Sequence, residues 1–171
     1  MSQRSRRRRG NSLIEFTLVG IPLIFALISI FEIARGMWIY HTLAYAITEG
    51  TRFASVHGIN CSTSPNSCST TIAGIAGVIQ YVGVGLQPDL LTLTFTTNSG
   101  TSTSCTLQDC LANYTTANWP PANANLPGMD VVISASYPFS SAIAMFWPGT
   151  GRGVVFPTFQ LPATSRERIQ F

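Results

Sequence analysis

The chain has no lysine, and only seven acidic residues occur among its 171. Charged residues of both signs make up 10%, against roughly 25% in ordinary soluble domains. So little charge argues against a free cytosolic protein. All ten basic residues are arginine, and five of them (Arg4, Arg6, Arg7, Arg8 and Arg9) precede Gly10. Beyond Gly10, five arginines face the seven acids, a net of −2, so the alkaline pI describes the leader alone. The aromatic residues, Trp38, Trp119 and Trp147 among them, are not interleaved with basic ones, and no nucleic acid is expected as a partner. Catalytic constellations are lacking too. His41 and His57 stand sixteen residues apart and do not form a metal pair. Asp89, Asp109 and Asp130 are scattered, and no G-x-S-x-G elbow occurs. The stretch Pro148-Gly149-Thr150-Gly151-Arg152-Gly153 lacks the G-K-[ST] ending of a phosphate loop and reads as a glycine-rich turn. The expectation is a protein that is not an enzyme and needs no cofactor or metal.

What the chain does have is one long apolar run behind the arginines. Residues 16–31 carry no charge and make roughly 24 Å of helix at 1.5 Å per residue. Leu13-Ile14 and Ile33-Ala34 extend the run past its flanking glutamates towards the ~30 Å of a bilayer core. A cleaved secretory signal would have a shorter apolar region, and the best small-x-small site here, Ala44-Tyr45-Ala46, lies well past its end. A plain signal anchor has no need of Glu15 at the start of the run, where a carboxylate is costly and usually functional. Either membrane-anchored reading places Arg6, Arg7, Arg8 and Arg9 on the cytoplasmic side and the chain after Arg35 outside, by the positive-inside rule. Pro22 and Gly20 stand within the run as points of flexibility.

Helical spacing continues beyond the run in Met37, Tyr40, Ala44 and Ile47, and the i,i+3 pairs Glu32/Arg35 and Glu49/Arg52 support it. One helix over residues 12–56 is expected, weakened at Gly36 and Gly50 and stopped by Gly58. Trp38 and Tyr40 suit an aromatic belt at the outer membrane face.

Four pieces of this region resemble the TadE-like family, the pseudopilins of tight-adherence, Flp-type pilus systems. They are Arg6-Arg7-Arg8-Arg9-Gly10, Ile14-Glu15-Phe16-Thr17-Leu18, Ile21-Pro22-Leu23, and Ala46-Ile47-Thr48-Glu49-Gly50-Thr51-Arg52-Phe53-Ala54. In the last, Thr51 stands where the family more often has alanine. The resemblance covers residues 6–56, a third of the chain. It implies a bacterial inner-membrane protein cut by a prepilin peptidase between Gly10 and Asn11, with other pilins and the assembly platform as partners. Chemistry alone gives Glu15 a role beside it. After such a cut Asn11 bears a free ammonium, and Glu15 lies one helical turn on, on the same side. A carboxylate in an apolar setting needs a partner. The ammonium of a neighbouring subunit is a natural one, so Glu15, with Phe16 beside it, is expected to set register during assembly. The rival is an uncleaved, signal-anchored envelope protein whose outer domain binds a surface ligand or partner.

The remainder reads as a small α+β head. Isoleucines 72, 75 and 79 at helical spacing predict a short helix over residues 69–81. Strict alternation predicts strands at 91–96 and at 131–137, the latter closed by Pro138, and two further extended segments at 154–159 and 162–169. Residues 98–128 are poor in apolar side chains and read as a long connection, functional or mobile, and the expected partner surface. Domain boundaries follow: leader 1–10, membrane helix 11–35, its continuation 36–57 and a periplasmic head 58–171. All four cysteines fall outside the membrane. An even number there reads as disulfides, with the local pairs Cys61–Cys68 and Cys105–Cys110 favoured among three possible pairings and over a zinc site.

Overall fold

The computed structural model describes residues 6–58, 60–61, 70–141 and 158–170. In chain order these form α1 (Arg6–Ser55), α2 (Ile72–Val82), β1 (Thr92–Thr97), β2 (Ser102–Thr106), α3 (Leu107–Asn113), a 3-10 turn (Ala122–Ala124), β3 (Asp130–Phe139) and β4 (Phe159–Arg168). The fold is α+β: a long N-terminal apolar helix followed by short helices on a four-stranded antiparallel sheet of order β2-β1-β3-β4. The chain divides into two compact units, Met1–Met37 and Trp38–Phe171.

The described residues of the first unit are all helix. Its hydroxyls bond back into the helix: Thr17 Oγ1 donates to the Leu13 and Ile14 carbonyls, and Ser29 Oγ to the Phe25 carbonyl at 2.9 Å. Such back-bonding satisfies both of these hydroxyls within the helix itself. The helix runs on through Pro22. Its apolar side chains, from Leu13 to Ile33, are largely exposed.

The second unit is built around a core that draws on every layer. The stretch of α1 within it buries Leu43, Ala46, Ile47 and Ala54, a stripe at three- and four-residue spacing. Against that stripe α2 lays Ile72, Ile75, Ala76 and Ile79, all buried. The approach is close. A Cβ placed on Gly50 would come within 2.6 Å of Ile79 Cγ1, so the glycine expected to weaken the helix is what lets α2 sit down on it. On the sheet, alternate residues turn inward: Leu93 and Phe95 from β1, Cys105 from β2, Val131, Ile133, Ala135 and Tyr137 from β3, and Ala163 from β4. The alternation follows from the two-residue period of a strand. Register is set by Leu93 opposite Cys105 on one side and Ala135 on the other, with Ala135 in turn opposite Ala163.

Two expectations change. Residues 98–128 are not a long structureless connection; they hold β2, α3 and the 3-10 turn. Few apolar residues were needed there because the Ser/Thr-rich β2 is an edge strand that buries only Cys105 and is pinned by the disulfide to Cys110. The chain after α3 then closes the top of α2. The Ile72 and Ala73 amides donate to the Ala117 and Tyr114 carbonyls, and the Gly74 amide to Thr71 Oγ1, taking up donors that a helix N-terminus leaves free. Trp119, after which the peptide bond to Pro120 is cis, packs edge-on against Phe95 with ring centroids 5.2 Å apart. The second change is at Pro138, which does not end β3: the strand continues to Phe139 against β4. Proline is tolerated there because the pairing with β1 stops at Ser136, so Pro138 has only one neighbour strand. Most of the segment expected to be extended at 154–159 lies outside the described residues; its last residue, Phe159, opens β4.

Candidate processing and assembly segment

The residues singled out at the N-terminus fall on one continuous helix. Arg6, Arg7, Arg8, Arg9, Gly10 and Asn11 occupy the first two turns of α1, and their side chains lie outside the described residues. Glu15 and Phe16 follow one turn later on exposed helix surface, Phe16 with 75% of its side chain open. Asn11 and Glu15 are four residues apart, about 6 Å along the axis and on the same face. Between Leu13 and Phe31, Glu15 is the only charged residue. The next charges, Glu32 and Arg35, pair at 3.1 Å. The segment is therefore an apolar rod with one carboxylate near its start and an ion pair at its far end. It is long and apolar enough to cross a membrane, and none of its most apolar stretch is buried within the protein. Leaving that surface in water forgoes about 25 cal/mol for each Å², which makes the helix a candidate membrane span.

Further along α1, Glu49 and Arg52 stand 4.0 Å apart, a weak contact. Gly50 carries the close approach of Ile79, and Thr51, wholly buried, donates its hydroxyl to the Ile47 carbonyl at 2.7 Å. The bond explains how a threonine is accommodated at a buried position where an alanine would also fit. The sequence pattern flagged this motif as a likeness only. Its packing role depends on α2, a partner distant in sequence, and no local signal reports it.

Of the cysteines, Cys105 and Cys110 are joined, with Cα atoms 5.5 Å apart, bridging the end of β2 and α3. Cys61 is half-buried; its expected partner Cys68, and so the Cys61–Cys68 pairing, lies outside the described residues. His41 stands edge-on to Tyr40, while His57 Nδ1 bonds the Phe53 carbonyl at 2.7 Å in the closing turn of α1. Among the described residues no three His, Cys, Asp or Glu side chains gather as a metal site. The region expected to be a partner surface borders an open cleft of about 150 Å³, lined by Ile72, Thr101, Thr103, Tyr114, Asn118 and Trp119. It contains no carboxylate, histidine or thiol. At the foot of the sheet Asp130 receives hydrogen bonds from Arg166 and, at 3.5 Å, from Arg168 Nε. The Arg166 hydrogen bond, aided by both positive charges, holds the Asp130 carboxyl below the usual range against a smaller opposing effect of burial.

These features define the class: among the described residues, one candidate membrane-spanning helix near the N-terminus and a small α+β domain carrying a local Cys105–Cys110 disulfide. A family model described as TadE-like protein matches residues 10–52, from Gly10 through the Glu49-Gly50-Thr51-Arg52 motif. The match covers a quarter of the chain, and it is to the family that the motifs of α1 resemble. No curated protein and no solved structure matches the chain.

Proposed function

We propose that the chain is a pseudopilin, a minor structural subunit for assembly of a Flp-type, tight-adherence pilus or a related secretion system. The observation that carries this reading is the exposed apolar helix with Glu15 near its start, immediately behind an Arg-Arg-Arg-Arg-Gly leader and inside the TadE-like match. In this reading residues 1–10 are the leader, 11–35 cross the bacterial inner membrane, 36–57 continue the helix and 58–171 form the head. The arginines hold the N-terminus in the cytoplasm, and the head is periplasmic or extracellular. A prepilin peptidase cuts between Gly10 and Asn11; glycine, having no side chain, lets the backbone enter the protease site. The freed ammonium of Asn11 then pairs with Glu15 of a neighbouring subunit. In the apolar surroundings such a pair is far stronger than in water, and misregistered packing would leave two charges buried alone. Glu15 therefore selects register, and Phe16 packs beside it. In this reading the work of the protein is assembly.

N-terminal sequencing and intact mass of the protein taken from membranes of a cell with its own peptidase test the processing step. A chain starting at Asn11 is expected. A start at Met1 or Ser2 would instead identify an uncleaved anchor, and a start between residues 40 and 48 a secreted head. Glu15→Ala tests the second step: the variant should insert in the membrane and be processed, but fail to assemble. Normal pili from that variant would remove Glu15 from the mechanism.

A further inference from the structure

The sheet has two edge strands, β2 and β4, and they differ. β2 is five residues long and is tied by its disulfide to α3. β4 is ten residues long, about 30 Å at ~3.3 Å per residue, and pairs with β3 along its whole length. The register fixes which of its backbone groups face outward. Opposed residues in an antiparallel pair alternate between hydrogen-bonded and non-hydrogen-bonded. One step beyond the Asp130–Arg168 pair, the Ile169 amide donates to the Met129 carbonyl at 2.8 Å. The odd-numbered residues of β4 therefore bond β3. The even-numbered ones, Gln160, Pro162, Thr164, Arg166 and Arg168, turn their backbone groups away from it. Pro162 fits this arrangement, since a residue without an N–H is tolerated on the outward side of an edge strand. Gln170 continues the outward row, and its amide donates to the Ser55 carbonyl at 3.1 Å.

Between Pro162 and Gln170 this edge is open. Among the described residues none accepts from the Thr164, Arg166 or Arg168 amides, and all three residues are exposed. A row of unpaired donors and acceptors is a template for another strand, and its charge decides which strand. Arg166 and Arg168 are two residues apart and so share one face of the sheet. Their side chains are 66% and 72% exposed, whereas Asp130, which both of them contact, is 17% exposed. The edge therefore presents net positive charge. A second copy of β4 is a poor occupant. Two-fold pairings confined to Thr164–Arg168 set arginine opposite arginine, where like charges repel. Pairings that part the arginines bring in Pro162, which leaves a carbonyl of the other strand without a donor. We infer that the Thr164–Arg168 edge is a docking site for an extended acidic segment of a partner protein, which joins the sheet as a fifth strand. The main chain of that segment takes up the outward amides and carbonyls and supplies the affinity, while carboxylates at alternate positions, opposite Arg166 and Arg168, supply the specificity. The inference concerns the head alone and stands whether or not the leader is cut after Gly10.

Peptide binding to the full chain in detergent micelles tests this. Two fluorescein-labelled nine-residue peptides serve as probes, one alternating valine with glutamate, the other valine with lysine. By fluorescence anisotropy the glutamate peptide should bind on the order of tenfold tighter, because two cross-strand charge pairs are favourable in one complex and repulsive in the other. Bound glutamate peptide should slow hydrogen exchange at the Thr164, Arg166 and Arg168 amides. Thr164→Pro removes an outward donor without touching the β3 ladder; it should abolish binding and leave the near-ultraviolet circular dichroism unchanged. Arg166→Gln with Arg168→Gln should erase the preference between the two peptides. Equal affinity of the wild type for both peptides, binding of neither, or protection that falls elsewhere would overturn the proposal. So would a preference that survives the double substitution. Slow exchange of the same three amides in the free chain would show the edge already covered, by a second copy, and would equally overturn it.

Discussion

Gly50→Ala puts one methyl group where the fold has no room for it. The new Cβ would lie 2.6 Å from Ile79 Cγ1, 2.8 Å from Ile79 Cδ1 and 3.5 Å from Ile75 Cγ2. Carbon atoms settle at about 3.5–4.0 Å, so α2 must withdraw by about 1 Å or Ile79 must leave its rotamer. Ile79 is fully buried, and a β-branched side chain in a helix has essentially one χ1 position. Overpacking of this kind costs about 1–3 kcal/mol. The better helix propensity of alanine offsets about 0.5–1 kcal/mol of it. The net expectation is a head destabilised by about 1–2 kcal/mol. Ile79→Ala alone should cost about 2–5 kcal/mol through the cavity it opens. Combined, the two should cost less than their sum by about 1–3 kcal/mol, since alanine at 50 then fills part of that cavity. Denaturant unfolding of the full chain in detergent micelles, followed by near-ultraviolet circular dichroism, reads all three variants. If Gly50→Ala is neutral or stabilising, or the cycle is additive within about 0.5 kcal/mol, close approach is not the reason for this glycine.

The disulfide and the Asp130–Arg166–Arg168 cluster give two further expectations. Replacing both Cys105 and Cys110 by serine should lower stability by about 2 kcal/mol, the loop-closure value for so short a loop; an unchanged unfolding midpoint under reducing and oxidising conditions would contradict it. Asp130 ionises below the usual carboxylate range because Arg166 hydrogen-bonds its charged form. Its contribution is therefore fully present above the unfolded-state value of about 3.9 and is lost as pH falls through the lower folded value. The stability difference between the wild type and Asp130→Asn should be constant from neutrality to about pH 5 and shrink below about pH 4. A difference that grew on acidification would reverse the sign of the argument.

Much of the architecture could be read along the chain. The apolar run, the arginine block before it and Glu15 are local patterns, and α1 follows them closely: residues 12–56 were expected and Arg6–Ser55 is observed. The expected strand at 91–96 is β1, displaced by one residue, and the helix expected over 69–81 begins at Ile72, where Thr71 caps it. The failures were at places where the deciding contact is distant in sequence. Residues 98–128 look like a loop because β2 and α3 bury only Cys105, Leu107 and Cys110, too few for a periodic signal. Pro138 looks like a strand end because its tolerance depends on β1 stopping at Ser136.

By itself, the sequence determined a long apolar helix, a candidate membrane span, with a single carboxylate near its start. That follows from hydrophobicity and charge alone, which act residue by residue. It also determined the alternation that gives the sheet an inner face. Only the tertiary structure decided that Gly50 serves packing and that residues 114–119 close α2. Those outcomes depend on which distant segments meet, and the meeting is governed by shape and by the satisfaction of backbone groups in a shared core.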